Sequence, residues 1–369
     1  MIYTASQSSQ LPTITQVLNL VRNIVGQMPL RHSITYGGAV KDDDVFLLNR
    51  TASGLFTLKP NITMQPCLYF GDSVFHDFLQ PKWNQLNHED YLVENVLREE
   101  FELTMESHPL YSLFQKGIPT RKHIVRILNP FGNALAYGFN TPMLPLTSSL
   151  EIAAFFATHR QDNQTGAWTA IPKLDNQGKV NVGALYLLEL AMPFPMMPGL
   201  SCIGMQAFLR PGRQRMFALN IGQGFNFNNH RLVYGFQFRQ EPGEVRWLDD
   251  MFQNGAFLTP NELIAHKAKD IIINRYVSEQ AFDRNCANNP NDDHAMNRKR
   301  LESAGVQIIK DSLHLFTAQE LSETFYLTAK EDWDELFSHV VASHPGFESM
   351  LYDLRNYPNT PEGRKFFKR

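Results

Sequence analysis

Residues Arg210-Pro211-Gly212-Arg213-Gln214-Arg215 gather three guanidinium forks and one amide around a Pro-Gly turn. Turn amides and guanidinium groups together can hold a phosphate or carboxylate bidentately. A plainer alternative is a solvated hairpin turn whose arginines pair with the acidic helix around Glu99. It is favoured here, because exposed charge runs usually contribute little. A second stretch, Ala136 to Thr158, combines a glycine turn, two prolines, a Thr-Ser-Ser helix start and a run of small apolar residues. It reads as an irregular loop feeding a buried helix from Leu150, with Ser148 and Glu151 forming an S-x-x-E capping box. Constrained loops held against a rigid element are where binding sites tend to lie.

Other chemistries find no support. The chain has no G-x-x-x-x-G-K-[ST] phosphate loop, no G-x-G-x-x-G opening a helix, no C-x-x-C pair, no H-E-x-x-H and no G-x-S-x-G elbow. Gly222-Gln-Gly224 lacks the third glycine and reads as a turn. His339 and His344, five apart, fall on different helix faces. Asn291-Asp292-Asp293-His294 lacks the glycine and distal glutamate of a calcium loop. No metal is therefore expected. Cys202, in LSCIGM, sits in an apolar setting that keeps a thiol protonated and inert. Asp249-Asp250 and the Glu99 to Glu102 run read as solvated faces rather than acid/base pairs, since adjacent carboxylates normally point to different sides.

The elements that must position these groups follow from periodicity. Apolar residues at Ile14, Val17, Leu18, Val21 and Val25 predict a one-sided helix over Thr13 to Val25. Phe46 to Leu48 and Leu55 to Leu58 flank Ala52-Ser53-Gly54 and predict a hairpin. Pro66 to Phe70 predicts a short strand ending at Gly71-Asp72. Glu89 to Glu106 predicts a helix with Leu92, Val93, Val96, Leu97 and Phe101 inward, and Glu99, Glu100, Glu102 and Glu106 mostly toward water. Arg121 to Phe131 suggests another helix, ended by Pro130 and Gly132. Arg160 to Lys179 is polar and reads as a surface excursion with a turn at Asp175 to Gly178. Ala184 to Leu190 reads as a strand covered on both faces, and Met216 to Leu219 and Leu232 to Phe238 as further strands. Beyond Thr259 the pattern turns helical: Asn261 to Lys269, then Ala318 to Ala329 behind a Thr317/Glu320 capping box, Trp333 to Ser343 and Gly346 to Tyr357. Asp283 to Arg300 reads as a polar loop.

The expected class is α+β, a mixed or antiparallel central sheet with flanking helices and a mostly helical C-terminal part. Residues 1–65 carry the first helix and hairpin as part of the main body. Residues 66–258 form the core, and 259–369 a helical region packed on it. With 369 residues and 43% hydrophobic content the chain can bury a full core, and 27 Phe against 4 Trp read as core aromatics. A formal net charge of -3 gives no global pull toward nucleic acid or anionic lipid. No secretory leader is expected, and no run approaches the ~18 apolar residues of a membrane span. Three scattered cysteines (Cys67, Cys202, Cys286) fit a reduced cytoplasmic protein.

Three segments together resemble the FRG-domain family of bacterial and phage proteins. Leu68-Tyr-Phe-Gly-Asp-Ser73 resembles the family's aromatic-Arg-Gly-Gln/Glu-Ser opening. Ala136-Tyr-Gly-Phe-Asn-Thr-Pro-Met-Leu-Pro-Leu-Thr147 resembles Gln-His-Tyr-Gly-x-x-Thr-x-x-Leu-Asp-x-Thr, followed by Ala153-Ala-Phe-Phe-Ala157. Arg210 to Phe217 is similar to Gln-x-Gly-Phe before a strand. The resemblance spans about Pro66 to Phe217. It implies an intracellular bacterial protein of toxin–antitoxin, phage-defence or inter-microbial conflict systems. It also implies a fold related to ADP-ribosyltransferases, with a pocket for NAD or a similar nucleotide. On that reading Tyr137 stacks on a ring and Thr147 or Ser148 bonds a ribose. Arg213 or Arg210 neutralises a pyrophosphate, and Thr141 and Gln214 complete the lining.

The departures are chemical. Phe70 replaces the arginine of the family's name, Leu135 and Ala136 stand for Gln-His, Pro145 for the aspartate and Met216 for a glycine. Phenylalanine supplies neither the charge nor the donors of arginine, and no general base is identified. Arg31-His32 to Gly38 offers other polar groups, though a helix-to-strand connector is the favoured reading. Two functions follow. One is an ADP-ribosyltransferase-like enzyme. The other is a catalytically degenerate binding module, such as an immunity, antitoxin or regulatory protein, whose partner is a nucleotide-like molecule or a protein.

Overall fold

The computed structural model describes residues 2–3, 11–28, 46–50, 56–60, 65–116, 128–162, 165–190, 199–204, 208–290, 293–324, 361 and 364. Alternation of side chains fixes its centre. In Val182–Glu189, Ala184, Tyr186 and Leu188 face one apolar cluster, while Leu185 and Leu187 face another. A strand buried on both faces needs a cover on each. Helix His88–Glu106 covers one face through Val96, Leu97 and Phe101. Helices Ile14–Gly26 and Leu150–Thr158 cover the other through Val17, Val21, Ala153 and Phe155.

The main sheet runs in the order Ile2–Tyr3, Val233–Arg239, Val182–Glu189, Cys67–Asp72, Met143–Thr147, Met216–Asn220, Leu200–Cys202. Its pairings are antiparallel except for Ile2–Tyr3, which lies parallel on one edge. The expected mixed α+β class is what the chain forms. The hairpin pairs Phe46–Arg50 with Phe56–Pro60, and the strand Cys67–Asp72 ends at Gly71 and Asp72 as expected. Thr317 and Glu320 cap each other reciprocally at the start of Ala318–Thr324. The helices expected at Trp333 to Ser343 and Gly346 to Tyr357, together with His339, His344 and Arg31 to Gly38, lie outside the described residues.

Several expectations are corrected. Pro130 does not end a helix but opens one, Pro130–Ala136, whose N-cap Asn129 accepts from the Gly132 amide. The supposed irregular loop contains the strand Met143–Thr147. The cap of the following helix is Ser149, not Ser148; its Oγ accepts from the Ile152 amide. Asp283 to Arg300 is not a loop. It contributes to two helices, Glu279–Asn288 and His294–Ser303, capped by Ser278 and Asp293 and anchored by Phe282, Cys286 and Leu301 in the core. The polar composition of that stretch reflects the outer faces of both helices.

The largest correction concerns the acidic run. Glu99 and Glu100 are 3% and 0% exposed. Helices Leu263–Asn274 and Glu279–Asn288 pack on their side of His88–Glu106, so these positions become interior. Buried carboxylates must be hydrogen-bonded. Glu100 accepts from the Ser278 amide (2.8 Å), the Ser278 hydroxyl (2.7 Å) and the Ser312 hydroxyl. Glu99 accepts from Arg98 and Asn288.

Glu102, at the edge of this cluster, has its carboxyl pushed up from an ordinary 4.5 to about 7 by burial and then by Glu99, with Arg98 and Arg284 opposing. A carboxyl raised in the folded state keeps its proton while the unfolded chain has lost it. Stability therefore falls as pH rises from about 4.5 to about 7 and is level above that window. Glu102→Gln, which keeps an acceptor for Arg98, should match the wild type near pH 4.5. It should exceed it by roughly 3 kcal/mol at pH 8 in urea unfolding. A difference independent of pH would refute this assignment.

Candidate functional site

The central sheet parts along one line. Cys67–Asp72 pairs with Val182–Glu189 over its whole length, from Cys67↔Glu189 to Asp72↔Ala184. Toward Met143–Thr147 it pairs at a single position, Tyr69↔Thr147. Met143–Thr147 is fully paired on its other side with Met216–Asn220. Pro145 accounts for the asymmetry: it has no N–H to give, so it belongs where one edge of a strand is released. A cavity of about 1000 Å³ lies at this parting, touched by Tyr69, Phe70 and Gly71 on one side and Pro145, Thr147 and Met216 on the other.

One wall is built on a buried knot. Tyr137 donates its hydroxyl to Glu262 (2.8 Å), and the same carboxylate accepts from the amides of Leu209 (3.0 Å) and Arg210 (3.1 Å). Burial raises the Glu262 carboxyl, while the Tyr137 hydroxyl, the two amides and the Arg210 charge pull it back. Burial and Glu262 hold the Tyr137 phenol well above its ordinary 10. The Arg210 guanidinium lies 4.9 Å over the Tyr137 ring. Tyr137 touches the cavity, but its ring is already covered by Arg210 and flanked by Phe101 and Phe208. It is a fixed wall rather than a free stacking surface.

A second wall comes from Thr147 and Gln214. The Thr147 hydroxyl donates to the Gln214 carbonyl (2.7 Å), and the Gln214 side-chain amide donates to the Leu258 carbonyl (3.1 Å). Arg215, next in sequence, sits at a left-handed φ of 46°, as do Gln253 and Asn254 (52° and 51°) in the turn before Leu258. Such backbone persists only where the surroundings over-determine it.

The roof is the short hairpin His159–Gln161 with Trp168–Ala170. Trp168 lies so close to Gly255 that a Cβ there would be 2.3 Å from its ring, and its Nε1 donates to Thr259 (3.0 Å). At the hairpin's base, His159 Nε2 meets the Asp249 carboxylate at 2.9 Å. Asp249 is thus a structural partner, and only its neighbour Asp250 keeps the expected solvated position. Helix Leu263–Asn274 closes the far side with Ala265, His266, Lys269 and Ile272.

Of the residues expected at the site, Tyr137, Thr147 and Gln214 line this one cavity, joined by Arg210. Thr141, Ser148 and Arg213 do not. Thr141 is buried and its hydroxyl has no partner. Ser148 is half-buried and tied through its backbone to Arg215 and Gln65. Arg213 turns outward over Phe257 at 5.2 Å and donates to the Phe257 carbonyl. None of these arginines pairs with Glu99, because Arg98 and Asn288 already serve it. Trp168 falls between the segments that carry the resemblance, and Asn261, His266 and Lys269 lie beyond its span. The spacing of Ala265, Lys269 and Ile272 on one helical face was the signal available for the last wall. Phe70 reaches the cavity, yet its ring stacks on Tyr186 at 5.7 Å. It takes part in core packing.

Among the described residues no group of His, Cys, Asp and Glu is placed to hold a metal, and no helix is long and apolar enough to cross a membrane. Fold and site define an α+β protein with a split central sheet and a ligand-sized cavity in the split. Compared with known proteins, the chain matches no family model, no curated protein and no solved structure.

Proposed function

We propose that this chain is an FRG-type protein that binds an NAD-type nucleotide in the cavity at the sheet's parting. One observation carries the reading: Tyr137, Thr147, Gln214 and Phe70, drawn from three distant segments, wall a single cavity of about 1000 Å³. Ligand cavities of about 300–1,000 Å³ hold drug-sized molecules, so a dinucleotide fits the upper end. Tyr69, Phe156 and Trp168 offer aromatic surface for a base. Thr147, Gln161 and Asn261 offer hydrogen bonds for a sugar, and Arg210 and Lys269 offer charge for phosphates.

The lining favours holding a ligand over turning it over. Group transfer needs a base free to take a proton. Asp162 and His266 are the carboxylate and imidazole on the wall among the described residues; Asp162 Oδ1 already accepts from the amide and hydroxyl of Thr165, and His266 Nε2 meets the Asn261 side-chain oxygen. The chain therefore acts as a catalytically degenerate binding module, an immunity, antitoxin or regulatory protein of the bacterial cytoplasm. A thermal-shift series with NAD, ATP and ADP-ribose tests this. At 100 times its dissociation constant a ligand should add about 2.7 kcal/mol, visible as a rise in Tm. No shift with any of the three would remove the nucleotide reading. Consumption of NAD would keep the pocket but restore the transferase.

A further inference from the structure

We propose that Gln214 is a specificity-determining residue, whose Oε1 accepts from an amino or amide N–H2 group on the ring edge of the bound nucleotide. This rests on the nucleotide reading above. The orientation of the side-chain amide is fixed by its partner. Leu258 offers a carbonyl oxygen 3.1 Å from Nε2, and turning the amide over would set two acceptors against each other. One of the two Nε2 hydrogens is therefore held by the protein, and Oε1 is the acceptor left over. No described residue donates to it.

The backbone beneath is equally determined. The Gln214 amide donates to the Arg210 carbonyl (3.0 Å), and its carbonyl accepts from Thr147 (2.7 Å). The left-handed Arg215 follows at once. An acceptor held this rigidly without a donor asks for one from the ligand. Met216, two residues further along the wall, is apolar and suits the face of a ring better than a sugar. The matching donor on an NAD-type ligand is then the nicotinamide carboxamide or the adenine 6-amino group, not a ribose hydroxyl.

Calorimetric titration of NAD, its nicotinic acid counterpart and its hypoxanthine counterpart tests the assignment, on the wild type and on Gln214→Met. One of the two deaminated ligands should bind the wild type about tenfold more weakly than NAD or worse. Gln214→Met should erase that difference, with a modestly lower unfolding temperature from the lost bond to the Leu258 carbonyl. NAD binding with no penalty for either counterpart overturns the role of Gln214 and leaves the nucleotide site standing. A preference that survives in Gln214→Met does the same. If none of the three ligands binds, both readings fall. Should Gln214→Met fail to fold, the wild-type ligand series decides alone.

Discussion

Gly71→Ala is expected to cost on the order of 3 kcal/mol or more of folding stability. The reason is steric. A Cβ on Gly71 would lie 1.8 Å from the Ala153 carbonyl oxygen, 2.7 Å from its carbon and 3.0 Å from the Ala157 Cβ. The obstructing atoms are mainly backbone, so no rotamer change relieves them. Either the helix Leu150–Thr158 lifts off or the central strand moves. The strand is held by six register pairs to Val182–Glu189, so the helix must yield. Its Ala153, Ala154 and Ala157 pack directly on the sheet, and lifting it exposes that cluster. Because Tyr69, Gly71 and Ala153 also bound the cavity, any surviving fold should bind ligand more weakly. Urea unfolding measures the loss, with Gly222→Ala as control, since nothing lies within 4 Å of a Cβ there. A Gly71→Ala protein within about 0.5 kcal/mol of wild type, the range of an ordinary surface change, would mean that the helix is not seated on the strand.

That contact also marks what the sequence could and could not disclose. The small residues Ala153, Ala154 and Ala157 made the helix legible as buried, and the period of Ile14, Val17, Leu18 and Val21 made the first helix legible as one-sided. Both are local patterns read by one neighbour. The burial of Glu99 and Glu100 was not legible. Their covering donors, Ser278 and Ser312, come from about two hundred residues further on, and charge alone reads as solvent-facing. Ser148 and Ser149 are equivalent as caps on paper, and only the path of the strand before them selects the second. The same short-range ambiguity divided the site. Thr147 and Ser148 are adjacent, as are Arg213 and Gln214, and in each pair one residue meets the cavity and the other leaves it. Tyr137 was legible as a wall residue but not in its state, because the arginine over its ring arrives from Arg210. Pro145 reads as a loop signal until it is known which edge of its strand is unpaired.

Glu262→Ala should be the most damaging change near the cavity that adds no bulk. It removes one carboxylate and strands three donors at once: the Tyr137 hydroxyl and the amides of Leu209 and Arg210. An unsatisfied buried donor costs about 1–3 kcal/mol. With relaxation of the short helix Leu209–Arg213 toward water, a net loss near 3 kcal/mol is expected. Glu262→Gln separates the carboxylate's role from simple volume. One oxygen serves both Tyr137 and Arg210, at 2.8 and 3.1 Å, and glutamine can reproduce it. The other serves Leu209 at 3.0 Å and would be replaced by a side-chain amide NH2 facing an N–H. The glutamine variant should therefore lose about 1 kcal/mol, one bond of the three. A double-mutant cycle with Tyr137→Phe completes the argument. If the hydroxyl acts through Glu262, Tyr137→Phe should cost about 1 kcal/mol in the wild type and little in Glu262→Ala. Equal costs in both backgrounds would show that Tyr137 is held by its ring contacts with Phe101 and Phe208. The carboxylate would then be no keystone of the wall that carries Arg210.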